Sequence, residues 1–397
     1  MANESTAKKR VLTPPPPDDP EAPFGANEMR LNACQWLATL ALVLLITLLI
    51  PRVWEKLERF DTGPDYRLSY ALSEDCWLYA RRLRQVSNPS HIVLLGDSVV
   101  WGEYVLPDGT LSHFLNREAG ATNRFINGGV NGFFPLAMAG LVEHYGGALR
   151  QQKVIVQCNL LWMTSPKADL STDKEEPFNH SRLVPQFSPR IPCYRADANE
   201  RLSAILERNL DFLAWVGHLQ NTYFEQQSLL KWTLAEDGGD PPRYANAWKN
   251  PLAQITLTVP AAPAVDPQRG PGSPRHQPWS GNAQGPTQFD WVDLDASLQG
   301  RAFQRVIGTL RARGNDVLVV LGPFNEHLMA AENRAAYRRI RDGISAWLAQ
   351  NQIPHIVPAT LPSALYADAS HPLTEGYALL AKNLYTHERF QQWLAKP

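Results

Sequence analysis

The sequence predicts an α/β fold, in which a parallel β-sheet is flanked by helices, together with a long insertion and one N-terminal transmembrane helix. Short apolar segments rich in Val, Ile and Leu alternate with segments of helical periodicity, and this alternation is typical of parallel strands joined by crossover helices. The alternation stops at about residue 167 and resumes at about residue 296, which indicates the insertion. An apolar segment at 33–50 is about long enough to span a bilayer as a helix.

The N-terminal residues predict a tail followed by a membrane anchor. Residues 1–32 include the run Pro14 to Pro17, which predicts a disordered tail of polyproline character. The segment 33–50 is dominated by Leu and has no polar face, unlike a helix packed on a core. The residues that follow, Pro51-Arg52-Val53-Trp54, offer no small-residue cleavage site of a signal peptide. We therefore predict an uncleaved single-pass anchor.

The charges beside the anchor do not fix its orientation, because basic residues both precede and follow it. Long domains cross membranes largely regardless of charge, so we expect the large domain to be extracytoplasmic. The formal net charge of the 397 residues is -1, and no basic excess indicates nucleic-acid binding. None of the four cysteines forms a CxxC pair, so no zinc or redox site is expected, and no metal or organic cofactor is implied.

The rest of the chain divides into a stalk, a split domain and an insertion. We predict an amphipathic helical stalk at 53–90, an α/β domain formed by 91–166 and 296–397, and the insertion at 167–295. The insertion contains a Pro- and Gly-rich segment at 237–286, which predicts a lid or substrate arm. The predicted strands are 91–95, 124–127, 153–158, 316–323 and 353–357, and the predicted helices are 111–119, 136–150, 198–235, 298–313, 334–351 and 374–394.

A candidate nucleophile follows the first predicted strand. Gly96-Asp97-Ser98 places a hydroxyl at the carboxyl end of a buried strand, where α/β folds keep their chemistry. Ser98 needs a base to become nucleophilic, and His371 can supply it. Asp368, three residues earlier, can accept the other imidazole proton and fix the tautomer. The alternative interpretation is that Asp97, Asp368 and their neighbouring serines merely cap helices.

The same site would need hydrogen-bond donors for an oxyanion. The candidates are the backbone amide of Ser98, a glycine amide from the turn 128–132, and the side chain of Asn159, which follows the strand ending at Cys158. A later loop that also follows a strand contains Asn325 and His327. Asn325 is an alternative oxyanion donor, and His327 is an alternative base or a substrate contact.

Three sequence blocks in this order resemble the SGNH (GDSL-like) hydrolase superfamily. They are Gly96-Asp97-Ser98, Ile126-Asn127-Gly128-Gly129-Val130-Asn131-Gly132 and Asp368-Ala369-Ser370-His371-Pro372. The resemblance implies a three-layer, flavodoxin-like sandwich, with Ser98 as nucleophile and Gly132 lining the oxyanion hole. It covers about 91–160 and 300–395. The family's third block reads Gly-x-Asn-Asp, whereas here Asn159 is the only Asn and lies about two positions early.

The resemblance implies a membrane-anchored serine esterase that acts on O-acyl esters. We expect these esters to be those of an extracytoplasmic carbohydrate. An O-acyltransferase that modifies a cell-envelope polysaccharide through the same residues is the first alternative. The chain resembles single-span SGNH-like proteins that acylate cell-envelope polysaccharides, and this resemblance implies a multi-span membrane acyltransferase as partner. The second alternative is an inactive SGNH-like domain that serves in binding or assembly, since the third block departs from the family.

Overall fold

The computed structural model describes residues 31–234, 249–260, 277–282 and 285–396. Its helices are α1 Ala33–Leu57, α2 Cys76–Val86, α3 Ser98–Trp101, α4 Leu111–Glu118, α5 Pro135–His144, α6 Ala198–Asn209, α7 Asp211–Tyr223, α8 Leu229–Leu234, α9 Pro251–Gln254, α10 Leu298–Ala312, α11 Arg334–Gln350, α12 Thr374–Tyr385 and α13 Glu388–Ala395. Nearly all of the predicted tail, and most of the Pro- and Gly-rich segment, lie outside the described residues.

The chain divides into two compact units, residues 1–49 and 50–397. In the first unit the described structure is the N-terminal part of α1, which starts at Ala33 and carries exposed leucines along its length. Its 25 residues are apolar enough and long enough to cross a membrane. The predicted apolar helix is therefore present.

A five-stranded parallel sheet forms the centre of the second unit, as the sequence predicts. Its strands are β1 Ile92–Leu95, β2 Phe125–Asn127, β3 Lys153–Cys158, β4 Asp316–Leu321 and β5 His355–Ile356. The strand order is β2-β1-β3-β4-β5, and every pairing is parallel. The direction of winding reverses between β1 and β3, and in open α/β sheets ligands bind beside the carboxyl ends of the strands at such a point.

Helices flank the sheet, and this explains why its strands are continuously apolar. Val93 and Leu95 belong to a core that includes buried residues of α2, α5, α10 and α11. Ile92 and Leu94, which point the opposite way, belong to a second core with buried residues of α4, α12 and α13. The two cores hold the strand ends in fixed positions, from which the loops of the site extend.

The predicted stalk at 53–90 is not one helix. Helix α1 ends at Leu57, and α2 starts only at Cys76, where the Asp75 carboxylate accepts a hydrogen bond from the backbone of Leu78. Gly63 and Pro64 lie between them, and this pair interrupts helical hydrogen bonding. Since the apolar face of α2 is buried in the core of the sheet, α2 is part of the domain.

The predicted insertion helix 198–235 is likewise divided, into α6, α7 and α8. Helix α7 is attached to the rest of the domain by buried charges. His218 Nδ1 lies 2.7 Å from Asp75 Oδ2, and His218 Nε2 lies 3.0 Å from Glu58 Oε1. Arg81 Nη1 donates to the other Glu58 oxygen at 2.6 Å. All four side chains are at most 4% exposed, so two cations balance two carboxylates away from water.

This cluster changes the protonation of its members. Burial acts to lower the pKa of His218, but the carboxylates of Asp75 and Glu58 outweigh it and raise the pKa from 6.5 to about 9. Burial acts to raise the pKa of Glu58, and the hydrogen bond and charge of His218 outweigh that effect and lower it. His218 is therefore charged at neutral pH and ties the insertion to α2.

We expect the free energy of unfolding to fall as the pH rises from 6.5 to 9. A group whose pKa is raised in the folded state stabilises fully below its unfolded pKa, and that contribution is lost as the pH passes the folded pKa. For His218 the difference between 6.5 and about 9 corresponds to about 3 kcal/mol. Urea unfolding of the full-length protein in detergent would measure it. His218→Gln should be less stable at pH 6.5 and lack this pH-dependent loss; an unchanged loss in the variant would contradict the assignment.

Candidate active site

Ser98 lies where the winding of the sheet reverses, three residues after the end of β1. The Asp97 carboxylate accepts from the backbone of Val99 at 2.9 Å and so starts α3 at Ser98. Gly96 is required before it, because a Cβ there would lie 2.8 Å from Gln157 Oε1 and even closer to Val100. The backbone amide of Ser98 is in the first turn of α3, where amides have no intrahelical acceptor.

The structure brings Ser98, His371 and Asp368 together from opposite ends of the domain. His371 Nε2 lies 2.8 Å from Ser98 Oγ, and His371 Nδ1 lies 2.7 Å from Asp368 Oδ2. Asp368 is held in turn by the backbone amides of Ser370 and His371, each at 2.9 Å. Since a carboxylate only accepts, Nδ1 carries the proton and Nε2 is free to accept the proton of Ser98.

Negative charge surrounds the imidazole of His371. Burial acts to lower its pKa, but the carboxylates of Asp368, Glu103 and Asp97 outweigh burial, and the pKa lies above 6.5. For Asp368, burial acts to raise the pKa, and His371 outweighs it and lowers the pKa. An elevated pKa makes His371 a stronger base toward Ser98.

Glu103 is a member of the site that the sequence analysis missed. Its Oε2 lies 3.6 Å from His371 Nε2, the nitrogen that also faces Ser98. The next residue, Tyr104, places its ring edge to face with the imidazole at 5.3 Å between centroids. No motif marks either residue; the only available signal was their position directly after α3, which begins at the candidate nucleophile.

Asn159, a predicted oxyanion donor, binds Asp97 through its side chain in the structure. It is fully buried, its side-chain amide donates to Asp97 Oδ2 at 2.8 Å, and its carbonyl oxygen accepts from the backbone of Leu161. Trp162 Nε1 donates to the same Asp97 oxygen at 2.9 Å. Burial raises the pKa of Asp97, and these donors oppose the increase. Asn159 therefore holds Asp97, the residue that caps α3 and precedes Ser98.

Asn325 and His327 also bind backbone groups. Asn325 is fully buried, and its amide donates to the carbonyl of Asp368 at 2.9 Å, so it supports the loop that carries Asp368. His327 Nε2 lies 3.0 Å from the carbonyl of Leu361. Within the described residues neither side chain has a hydrogen bond with Ser98 or His371. The structure thus gives Asn325 a positioning role and does not place His327 as a base for Ser98.

The turn that contains Gly132 lies against the start of α3. The backbone amide of Val130 donates to the carbonyl of Gly96 at 3.2 Å, and Asn127 Nδ2 donates to the carbonyl of Val100 at 2.9 Å. Gly132 follows Val130 by two residues and has a φ of +69°, a conformation that favours glycine. This turn therefore approaches Ser98 from the β2 side.

No family model matches this chain, and no curated protein matches it.

We expect the ring of His371 to titrate at a pH above 6.5 in NMR spectra of protein labelled with ¹⁵N-histidine. Glu103→Gln should lower the midpoint, because it removes a negative charge beside Nε2. Asp368→Asn should lower the midpoint by more than Glu103→Gln does, because Asp368 raises the pKa of His371 more than Glu103 does. Asp342→Asn, which changes an exposed carboxylate on α11, serves as the control. An unchanged midpoint in Glu103→Gln would refute the influence of Glu103.

Proposed function

We propose that this protein is a membrane-anchored SGNH-type serine esterase with a three-layer, flavodoxin-like catalytic domain. The observation that carries the proposal is the hydrogen-bonded chain Ser98–His371–Asp368 at the point where the winding of the sheet reverses. The order of the three sequence blocks supports the same interpretation. The substrate class that we propose is an O-acyl ester of an extracytoplasmic carbohydrate.

The geometry supports an acyl-enzyme mechanism. Ser98 Oγ bonds to the ester carbonyl carbon while its proton passes to His371 Nε2, and the carbonyl electron pair moves to the oxygen. The backbone amides of Ser98 and Gly132 are the proposed donors to that oxyanion. Its collapse breaks the bond to the alcohol, which takes the proton from His371. A water molecule then repeats these steps on the acyl-serine, releasing the carboxylic acid and restoring Ser98.

Acyl transfer to a sugar hydroxyl is the alternative that one observation favours. Ser98 is 8% exposed and His371 is 5% exposed, and a site that limits water access favours an acceptor other than water. The same residues would then transfer the acyl group to a polysaccharide, with the acyl donor supplied by a multi-span membrane partner. An inactive binding or assembly domain is the remaining alternative, motivated by the departure in the third block.

We expect a fluorophosphonate probe to label Ser98, because attack by the activated oxygen displaces fluoride and leaves a stable phosphonate ester. Ser98→Ala should abolish the labelling, and Ser112→Ala, which changes a buried serine outside the site, should leave it intact. Mass spectrometry of the labelled peptide identifies the site. Well-folded protein that does not react at Ser98 would contradict both catalytic proposals.

The same protein can separate hydrolysis from transfer. With an aryl acetate as the acyl donor, release of acetate in water indicates an esterase. Formation of an acetylated sugar at the expense of acetate, when an oligosaccharide is added, indicates a transferase. Ser98→Ala should abolish either product, and the ratio of the two products decides between the alternatives.

We further propose that α1 remains in the mature protein as its membrane anchor. We expect the full-length chain to stay in the membrane pellet after extraction with alkaline carbonate, since an apolar helix of this length buries in hydrocarbon. A variant with Leu44 and Leu45 both changed to Arg should lose membrane retention. Release of the intact wild-type chain into the supernatant would refute the anchor.

A further inference from the structure

We propose that Asn179, a residue of the insertion, supplies the side-chain donor to the oxyanion in place of Asn159. This inference rests on the proposed function, because it concerns the same acyl-transfer reaction at Ser98. It assigns to the insertion a catalytic residue in addition to any role as a cover.

The need for another donor follows from the site itself. The side chains of Asn159 and Asn325 are fully buried, and their amides donate to Asp97 and to the backbone of Asp368, so we infer that another group donates to the oxyanion. An oxyanion at Ser98 would also form in a negative field, because Glu103 and Asp368 lie beside His371. Two backbone amides alone would have to stabilise the oxyanion against this negative charge. A side-chain N–H aimed at the oxyanion would add to that stabilisation.

Asn179 lies directly beside the glycine that we propose to line the oxyanion hole. Its Nδ2 occupies the space that a Cβ at Gly132 would need, and its Cγ is 3.1 Å from that position. Any larger residue at position 132 would therefore displace Asn179. The two groups present a backbone amide and a side-chain amide within one small region, as a site that binds an oxygen anion requires.

The turn that contains Gly132 contacts the segment just before the proposed nucleophile. Val130 is hydrogen-bonded to Gly96, two residues before Ser98. Gly132 is two residues beyond Val130, and two residues of extended chain span at most about 7 Å. The turn therefore packs on the segment that carries Ser98, and we infer that Gly132 and Asn179 lie within reach of an oxyanion formed there.

The neighbouring residue fixes the loop that carries Asn179. His180 is 3% exposed, its Nε2 lies 2.9 Å from the carbonyl of Asn131, and its ring contacts Phe133 edge to face. Its φ of +59° is an uncommon backbone conformation that the surrounding contacts hold in place. Asn179 itself is exposed, and its side chain has no hydrogen bond to any described residue. The loop next to Asn179 is thus fixed by His180, and the Asn179 amide, unengaged by the described residues, can donate to an incoming oxyanion.

The test compares Asn179→Ala with wild-type full-length protein in detergent, using an aryl acetate and the fluorophosphonate probe. We expect kcat to fall by about 10²- to 10³-fold with little change in KM, because the lost hydrogen bond forms in the transition state. The rate of phosphonylation of Ser98 should fall by a similar factor. Asn199→Ala, an exposed asparagine on α6, should leave both rates unchanged.

Two further variants separate catalysis from structure. Asn179→Asp keeps the size of the side chain but places a carboxylate there, and should be at least as slow as Asn179→Ala. His180→Ala should reduce kcat, because it releases the loop from Asn131. A rise in KM at constant kcat, or a loss that parallels a lower melting temperature, would overturn the proposal, since either indicates a binding or structural role.

The failure of this inference differs from failure of the proposed function. An active wild-type protein whose kcat and labelling rate are unchanged in Asn179→Ala would overturn the role of Asn179 and leave Ser98 as nucleophile. A folded wild-type protein that neither reacts with the probe nor cleaves the ester would overturn both.

Discussion

The buried carboxylate of Asp97 determines where Ser98 lies, and the candidate site depends on it. One oxygen receives the backbone amide of Val99 and starts α3, while the other receives Asn159 and Trp162 from the segment after β3. The ends of the two central strands are thereby joined beside the candidate nucleophile. A carboxylate that accepts three hydrogen bonds in the protein interior requires all three donors, because burial without partners is costly. Sequence changes at Asn159 or Trp162 would therefore act on Ser98 through Asp97.

A second buried charge cluster, around His218, has a different purpose. It joins α7 of the insertion to Asp75, at the start of α2, and to Glu58, just beyond α1. Removing one partner of a buried ion pair leaves an uncompensated charge and is strongly destabilising, so the charged groups must meet in one arrangement. The cluster therefore specifies one docking position of the insertion. Such a fixed position matters if residues of the insertion take part in chemistry.

Much of the fold and part of the site could be predicted from the sequence, for identifiable reasons. Strands buried on both faces are continuously apolar, so β1, β3 and β4 were recognisable, and the α/β class is confirmed. Ser98, Asp368 and His371 belong to short local motifs beside such elements, and the structure brings them together. Their catalytic role stays a prediction.

The remainder depended on contacts that local sequence does not encode. The direction of the Asn159 side chain is set by Asp97 from another strand, and Glu103 approaches His371 across 268 residues of chain. The residues 53–90 were predicted as a helical, amphipathic stalk, and Gly63 and Pro64 interrupt the helix within that range. Within this range the structure has the end of α1 and the separate helix α2, and α2 packs in the core.

The pairing of β3 with β4 has a consequence for how the chain is made. Lys153 pairs with Asp316, so the centre of the sheet joins segments separated by the whole insertion. During synthesis β3 emerges long before β4, and an unpaired apolar strand edge is prone to aggregation. Contacts this distant in sequence also slow folding. Ser98 can meet His371 only after nearly the whole chain has been made, so a nascent or truncated chain would hold the proposed nucleophile without its proposed base.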